Sequence, residues 1–96
     1  MKEREYILSL YEIYSNLLNE KERHYFEDYY FEDYSLQEIA DNNDVSRAYV
    51  SKYINSIESK LVDFEKALML LEKRNKIKEV LEDLDEETRN KIIELL

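Results

Sequence analysis

The chain has 96 residues, contains no glycine, proline or cysteine, and carries a formal net charge of −9. This length fits one small domain, and the missing residue types exclude glycine-rich phosphate loops, disulfide frameworks, thiolate metal sites and cysteine nucleophiles. Tight hairpins are also disfavoured, because their turns need the positive φ angles that glycine adopts most easily. The composition therefore predicts an all-α protein whose helices are joined by Asn, Asp and Ser turns.

The acidic charge is unevenly distributed along the chain. Residues 1–34 carry four basic and nine acidic groups, residues 35–61 carry three and four, and residues 62–96 carry seven and ten. Net negative charge repels nucleic acid at long range. The distribution therefore counts against tight DNA binding, although the middle third is the least acidic part.

Apolar spacing predicts two helices in the first third. The first covers about residues 3–18, where apolar side chains recur at three- and four-residue steps. The second covers about 20–31, because Asn19 and Glu22 have the spacing of a capping box. Its aromatic residues are Tyr25, Phe26, Tyr29 and Tyr30. This cluster favours core packing over a base-stacking platform, since acidic residues surround it and stacking platforms usually carry basic ones.

A helix-turn-helix is predicted between residues 35 and 55. Ser35 and Glu38 form a second capping box, and Ser46 is placed to cap the following helix. The packing positions of the motif are an apolar anchor, a small crossing residue, a turn residue and an inward helix face, namely Ile39, Ala40, Val45, Val50 and Ile54. Asp44 stands where a left-handed residue is expected, and Asn43 replaces the usual apolar residue, which predicts weaker packing there.

The outward face of the second helix of this motif is the candidate contact surface for a nucleic acid or a protein partner. Its residues are Ser46, Arg47, Ala48, Ser51, Lys52 and Asn55, with Lys60 further along. Arginine and lysine side chains contact phosphate or guanine, and asparagine contacts adenine. The alternative is that these are ordinary solvent-facing residues, since three basic groups are few for a groove binder.

A seven-residue apolar repeat continues from the motif into a long helix. It runs through Val50, Ile54, Ile57, Leu61, Phe64, Leu68 and Leu71. Such a repeat is typical of a coiled coil and predicts a homodimer formed through Ile57, Leu61, Phe64, Leu68 and Leu71. The alternative is that the stripe packs on the first two helices of the same chain. Residues 1–60 are accordingly predicted to form the helical domain and 61–96 an extension, ending in a short helix capped by Asp85.

The sequence offers little for catalysis or metal binding. His24 is the single histidine, so no serine has a histidine pair to activate it, and no metal-ligand spacing is present. We therefore predict no enzyme activity, no catalytic residues, no metal and no cofactor. The longest apolar run, Ala67 to Leu71, is far below the ~20 residues of a membrane span, and residues 1–5 lack the pattern of a signal peptide. A cytoplasmic protein without a membrane partner is expected.

Several segments together resemble the YlxM family, helix-turn-helix proteins of Gram-positive bacteria and mollicutes encoded beside the signal recognition particle GTPase gene. The matching segments are residues 17–23, Tyr29-Tyr30, residues 34–40 and Val45-Ser46-Arg47. The motif also resembles, more broadly, the −35-reading domain of sigma factors. The family resemblance implies a sigma-domain-like fold and a regulatory part in the signal recognition particle pathway. It supplies no catalytic or ligand residues.

Two functions follow from this reading. The first is a regulatory protein that binds the signal recognition particle GTPase, its RNA, or both. The second is a sequence-specific DNA-binding transcription regulator, which a dimer would suit because palindromic sites match a two-fold axis.

Overall fold

The computed structural model describes residues 3–96, so Met1 and Lys2, at the start of the predicted first domain, lie outside the described residues. Within this range the chain forms helices only. They are α1 (Arg4–Tyr14), a 3-10 turn (Ser15–Leu17), α2 (Glu20–Tyr30), α3 (Leu36–Asn43), α4 (Arg47–Leu68), α5 (Leu70–Leu81) and α6 (Glu86–Ile93). The predicted all-α class is confirmed.

The predicted helix starts are formed by reciprocal side-chain caps. The amide of Glu22 donates to Asn19 at 2.8 Å, and the Glu22 carboxylate accepts from the Asn19 amide at 2.9 Å. Ser35 and Glu38 make the same pair of bonds at 3.0 and 3.1 Å. Each box satisfies two amides that a helix start leaves without an intrahelical partner. The starts of α2 and α3 are therefore determined by local sequence.

The hydrophobic core lies between α1, α2, α3 and the first two thirds of α4. Its largest fully buried side chains are Tyr14, Phe26, Ile7, Leu10, Ile39, Ile57, Leu61 and Val50. Aromatic rings pack inside it, with Phe26 stacked on Tyr11 at 4.0 Å and on Tyr30 at 4.4 Å between ring centroids. The interpretation of the α2 aromatic cluster as core packing therefore holds for Tyr25, Phe26 and Tyr30, which are buried.

The apolar stripe of α4 is covered by the same chain. Ile57 and Leu61 have no exposed area, and Phe64 packs beside Tyr14 at 5.9 Å between ring centroids. Within this chain both side chains are enclosed by its own helices, which is the alternative that the repeat left open, and dimerisation through Ile57 and Leu61 stays a prediction. A seven-residue repeat marks one helix face, and α1–α3 cover that face as a partner helix would.

The long helix predicted to reach Leu71 ends earlier. Met69 adopts a left-handed conformation with φ of 55°, which separates α4 from α5. Leu68 is exposed, and Leu71, now in α5, packs against the edge of the core. Apolar periodicity continues across Met69, so it could not reveal the helix break there. The prediction of one continuous helix over this stretch is wrong.

A partly buried hydrogen-bond network holds the junction between α4 and α5. The Glu65 carboxylate accepts from the amides of Leu71 and Glu72 at 3.0 and 3.1 Å. The Tyr14 hydroxyl donates to Glu65 at 2.6 Å and accepts from the Leu70 amide at 3.1 Å. Side chains from α1 and α4 therefore cap the start of α5 and satisfy three of its free amides.

The network shifts the acid strength of both side chains. Burial alone would raise the pKa of Glu65, but the hydrogen bonds from Tyr14, Leu71 and Glu72 outweigh it and hold the pKa below its ordinary value of 4.5. Burial, together with the bond to Glu65, raises the pKa of Tyr14. The ionised carboxylate is thus the form that the folded chain favours.

The C-terminal helices extend from one end of the core. The Arg74 guanidinium in α5 lies 3.8 Å from the Glu12 carboxylate in α1, whereas α6 exposes Ile93 and is followed by the exposed Leu95 and Leu96. The predicted boundary between residues 60 and 61 falls inside α4, beside the fully buried Leu61, so it coincides with no break in helix or core. No helix in residues 3–96 is long and apolar enough to cross a membrane.

Replacing Met69 with glycine should stabilise the protein by about 0.5–1 kcal/mol, because glycine adopts the left-handed conformation without the steric cost of a Cβ. Urea unfolding measures the effect. The matched control is Lys73→Gly in the interior of α5, which should destabilise by about 1 kcal/mol. Equal destabilisation by both substitutions would mean that Met69 is helical and that α4 and α5 are continuous.

Glu65 should make stability fall at acid pH. Its pKa is lower in the folded state than in the unfolded chain, so its contribution is complete above about pH 4.5 and is lost as pH falls through the folded pKa. Glu65→Gln should remove part of this pH dependence, whereas Glu79→Gln, on the exposed side of α5, should leave it unchanged. Thermal unfolding measured from about pH 7 down to about pH 3, which spans the ordinary carboxyl pKa and the acid side of it, distinguishes the two results.

Candidate nucleic-acid or partner interface

The turn between α3 and α4 has the hydrogen bonds of a Schellman-type helix end. The Val45 amide donates to the Ala40 carbonyl at 3.0 Å, and the Asp44 amide donates to Asp41 at 3.5 Å. Asp44 is left-handed with φ of 55°, as predicted from its place in the motif. This end directs the chain from α3 into α4 at a defined angle.

Asn43 is accommodated by a local hydrogen bond. Its side-chain amide donates to the Ile39 carbonyl at 2.8 Å, one turn earlier in α3. Ile39 and Ala40 remain fully buried beside it. A buried amide without a partner would cost free energy, and this bond avoids that cost.

The first half of α4 presents the predicted contact residues on one side. Ser46 begins the helix by accepting a hydrogen bond from the Tyr49 amide at 3.0 Å. The side opposite the buried Val50 and Ile54 consists of exposed or half-exposed residues, Arg47, Ala48, Ser51, Lys52 and Asn55. These five residues and Ser46 form a contiguous surface, called the α4 face below.

Lys60 has a role that the sequence did not predict. It lies two turns beyond Lys52, and its ammonium group is 2.5 Å from the Glu22 carboxylate at the start of α2. Burial of Glu22 would raise the pKa of that carboxyl, but the bonds from Lys60 and the Asn19 amide hold it below its ordinary value. Lys60 thus ties α4 to α2, and its predicted contact with a partner stays a prediction.

Positive charge on the α4 face is sparse. Arg47 and Lys52 are its two cations, and neither forms an ion pair with any residue between 3 and 96. The exposed Asp44 lies at the start of the same surface. Proteins that bind duplex DNA typically make about 6–10 phosphate contacts, which two cations cannot supply.

A lysine–tyrosine cluster adjoins the α4 face and was missed in the sequence. Lys21 of α2 donates to the Tyr49 hydroxyl at 2.9 Å, and its ammonium lies 5.0 Å from the centre of the Tyr53 ring. Tyr49 and Tyr53 stack at 5.7 Å, as their four-residue spacing allows. The spacing could have indicated that pair, but only the packing of α2 on α4 adds the cation.

His24 is largely exposed and lies 3.4 Å from the Asp28 carboxylate in the same helix. No group of three or more metal-binding side chains occurs in the part of the chain that the structure describes.

This geometry defines a helix-turn-helix protein in which α3 and α4 are the two helices of the motif. The sequence model of the family UPF0122, described as "Putative helix-turn-helix protein, YlxM / p13 like", matches residues 1–96. A UPF0122 protein of Fusobacterium nucleatum is 43% identical over 94 residues, covering 94% of this chain and 91% of the relative. The chain belongs to the UPF0122 family.

Two further relatives carry the same family name. A UPF0122 protein of Halalkalibacterium halodurans is 44% identical over 77 residues, which cover 80% of this chain and 71% of that protein. One of Ureaplasma urealyticum is 39% identical over 73 residues, with 76% and 74% covered. The resemblance found in the sequence is therefore confirmed, and the family is described by its helix-turn-helix and not by a reaction.

Homodimerisation stays a prediction. Of the five residues assigned to it, Leu68 is exposed, Phe64 and Leu71 are partly buried, and Ile57 and Leu61 are enclosed by the core.

Alanine substitution should distinguish the roles of Lys52 and Lys60, two of the lysines in α4. Lys60→Ala should destabilise the fold by about 1 kcal/mol, since it leaves the buried Glu22 carboxylate without its cation, an effect moderated by the exposure of Lys60 itself. Lys52→Ala should change stability by less than about 0.5 kcal/mol. Urea unfolding of both variants measures this difference, and equal effects would show that the Glu22–Lys60 pair does not support the fold.

Proposed function

We propose that this protein is a regulatory binding component of the signal recognition particle pathway, and that its α4 face contacts the pathway's GTPase or its RNA. The observation that carries the proposal is the composition of the α4 face. Its two cations are Arg47 and Lys52, and the whole chain has a formal net charge of −9. Such a surface suits a protein contact or a short RNA segment better than a duplex with dense phosphate charge. The YlxM resemblance supplies the pathway.

Long-range electrostatics favour a basic protein as the first contact. A strongly acidic chain attracts basic partners and is repelled by nucleic acid, and such steering raises association rates. Any RNA contact would depend on the local cations Arg47 and Lys52 and on the neighbouring Lys21. Binding of a basic protein would therefore use the acidic charge of the chain, whereas binding of RNA would depend on these local cations.

The second candidate function is sequence-specific DNA binding. The geometry of α3 and α4 favours it, because Arg47, Lys52 and Asn55 project from the first half of a recognition helix. Arginine and lysine read guanine, and asparagine reads adenine, from the major groove. In such a complex the acidic groups would have to face away from the duplex.

A binding titration distinguishes the two functions. The labelled protein is titrated with the reconstituted particle, with its protein and RNA separately, and with random and genomic duplex DNA at near-physiological salt. We expect binding to the particle and a change in its GTP hydrolysis. The double variant Arg47→Ala/Lys52→Ala should bind about tenfold more weakly, which corresponds to about 1.4 kcal/mol.

The matched control is Lys66→Ala/Lys78→Ala, which removes the same charge from other exposed positions and should leave particle binding nearly unchanged. Equal losses in both double variants would mean that net charge, not the α4 face, determines binding. Selective DNA binding without association with the particle would instead identify a transcription regulator.

A further inference from the structure

A cavity of about 200 Å³ opens between α2, α3 and α4, next to the α4 face. Ser51 and Asn55 belong both to the α4 face and to the wall of this cavity, and Tyr29 and Leu36 form other parts of the wall. A water molecule occupies ~30 Å³ in the liquid, so the space is large enough for a side-chain head group. The contact surface therefore includes a pocket as well as an exposed helix face.

Glu58 places a buried carboxylate in this cavity. Its side chain lines the pocket, and the residue is 7% exposed. One carboxylate oxygen, Oε2, accepts a hydrogen bond from the Tyr30 hydroxyl. The other oxygen, Oε1, receives no hydrogen bond from any residue in the range 3–96.

The carboxylate also has no cation beside it within the described residues. Tyr30 is a neutral donor, since burial and the bond to Glu58 raise its pKa above the ordinary value of 10.0. The three other buried or half-buried acids of the described residues have more partners or a potential cation: Glu22 has Lys60, Glu65 has Tyr14 and two backbone amides, and Asp28 lies beside His24. Because Oε1 is not among the buried side-chain atoms that lack a partner, it is open to solvent at the mouth of the cavity, where a cationic ligand can reach it.

We propose that this cavity binds the guanidinium group of an arginine from a basic protein partner. A guanidinium offers parallel N–H donors to a carboxylate, is less strongly hydrated than an ammonium, and stacks on aromatic rings. Oε1 of Glu58 is the acceptor, Tyr29 supplies an aromatic wall, and Ser51 and Asn55 supply further acceptors.

This inference goes beyond the proposed function, because it assigns the partner's chemistry to a particular pocket. A phosphate backbone would be repelled by Glu58, so the pocket favours a protein over RNA or DNA. In this arrangement Ser51 and Asn55, which carry no charge, offer hydrogen-bond acceptors beside the guanidinium. The arginine would leave Arg47 and Lys52 free to contact other groups.

The test is an NMR titration of the ¹⁵N-labelled full chain with the blocked tripeptide Ala-Arg-Ala. The uncharged control is the same peptide with citrulline, which has the size and planarity of arginine without its charge. We expect saturable shifts of the Ser51, Asn55 and Glu58 amides with the arginine peptide and none with the citrulline peptide.

Glu58→Gln should weaken peptide binding at least about tenfold, since it removes the charge but keeps an acceptor for Tyr30. The matched control is Glu27→Gln, because Glu27 also accepts a hydrogen bond from a tyrosine, Tyr11, but lies outside the cavity. That variant should bind within about twofold of the natural chain. Ser51→Tyr, which fills the cavity and leaves Glu58 in place, should abolish binding and serves if Glu58→Gln does not fold.

The outcomes test the arginine pocket separately from the proposed role in the signal recognition particle pathway. Equal weakening by Glu58→Gln and Glu27→Gln, or shifts spread over the whole acidic surface, would overturn the pocket. Peptide binding that depends on Glu58, without any association with the particle, would retain the pocket and reject the pathway. Particle binding that is unchanged by Glu58→Gln and Ser51→Tyr would retain the pathway and reject the pocket.

Discussion

The burial of one face of α4 beneath α1, α2 and α3 is the contact on which the remaining structure depends. Because Val50, Ile54, Ile57 and Leu61 point into the core, the opposite side of the helix must face outward. This single constraint orients α4, exposes Arg47 and its neighbours, and encloses the Ile57 and Leu61 part of the apolar repeat within the chain. The same packing brings α2 beside α4. There Lys60 of α4 contacts Glu22 of α2, and Lys21 of α2 contacts Tyr49 of α4.

Tyrosine–carboxylate pairs connect this core to its surroundings. Tyr14 binds Glu65, Tyr30 binds Glu58, and Tyr11 binds Glu27. In each pair a tyrosine ring fills apolar space while its hydroxyl donates to an acid, so carboxylates at different depths, from the exposed Glu27 to the buried Glu58, keep a hydrogen bond. The pairs differ in what else they contact. The Glu65 pair caps α5 and determines a helix junction, whereas the Glu58 pair lines a cavity and leaves one acceptor available.

These features describe a helix-turn-helix adapted to an acidic surface. The backbone of the motif is complete, with a left-handed Asp44, a capped α4 and a buried crossing residue at Ala40. Its charge is unlike that of a typical duplex binder, because Arg47 and Lys52 are the cations of the α4 face. A fold that usually positions a helix against DNA is here combined with an α4 face that carries two cations and, beside it, a cavity lined by Glu58.

The sequence by itself determined the helical class, the starts of α2, α3 and α4, the turn geometry at Asp44 and the grouping of the α4 face, because these depend on caps and spacings within a few residues. The tertiary structure alone decided what covers the apolar repeat and where the long helix ends. A repeat specifies a face but not its partner, and the left-handed Met69 is held by Tyr14 and Glu65, of which Tyr14 is 55 residues earlier. The Glu58 cavity and the Glu22–Lys60 pair likewise join separate helices, so no local pattern could predict them.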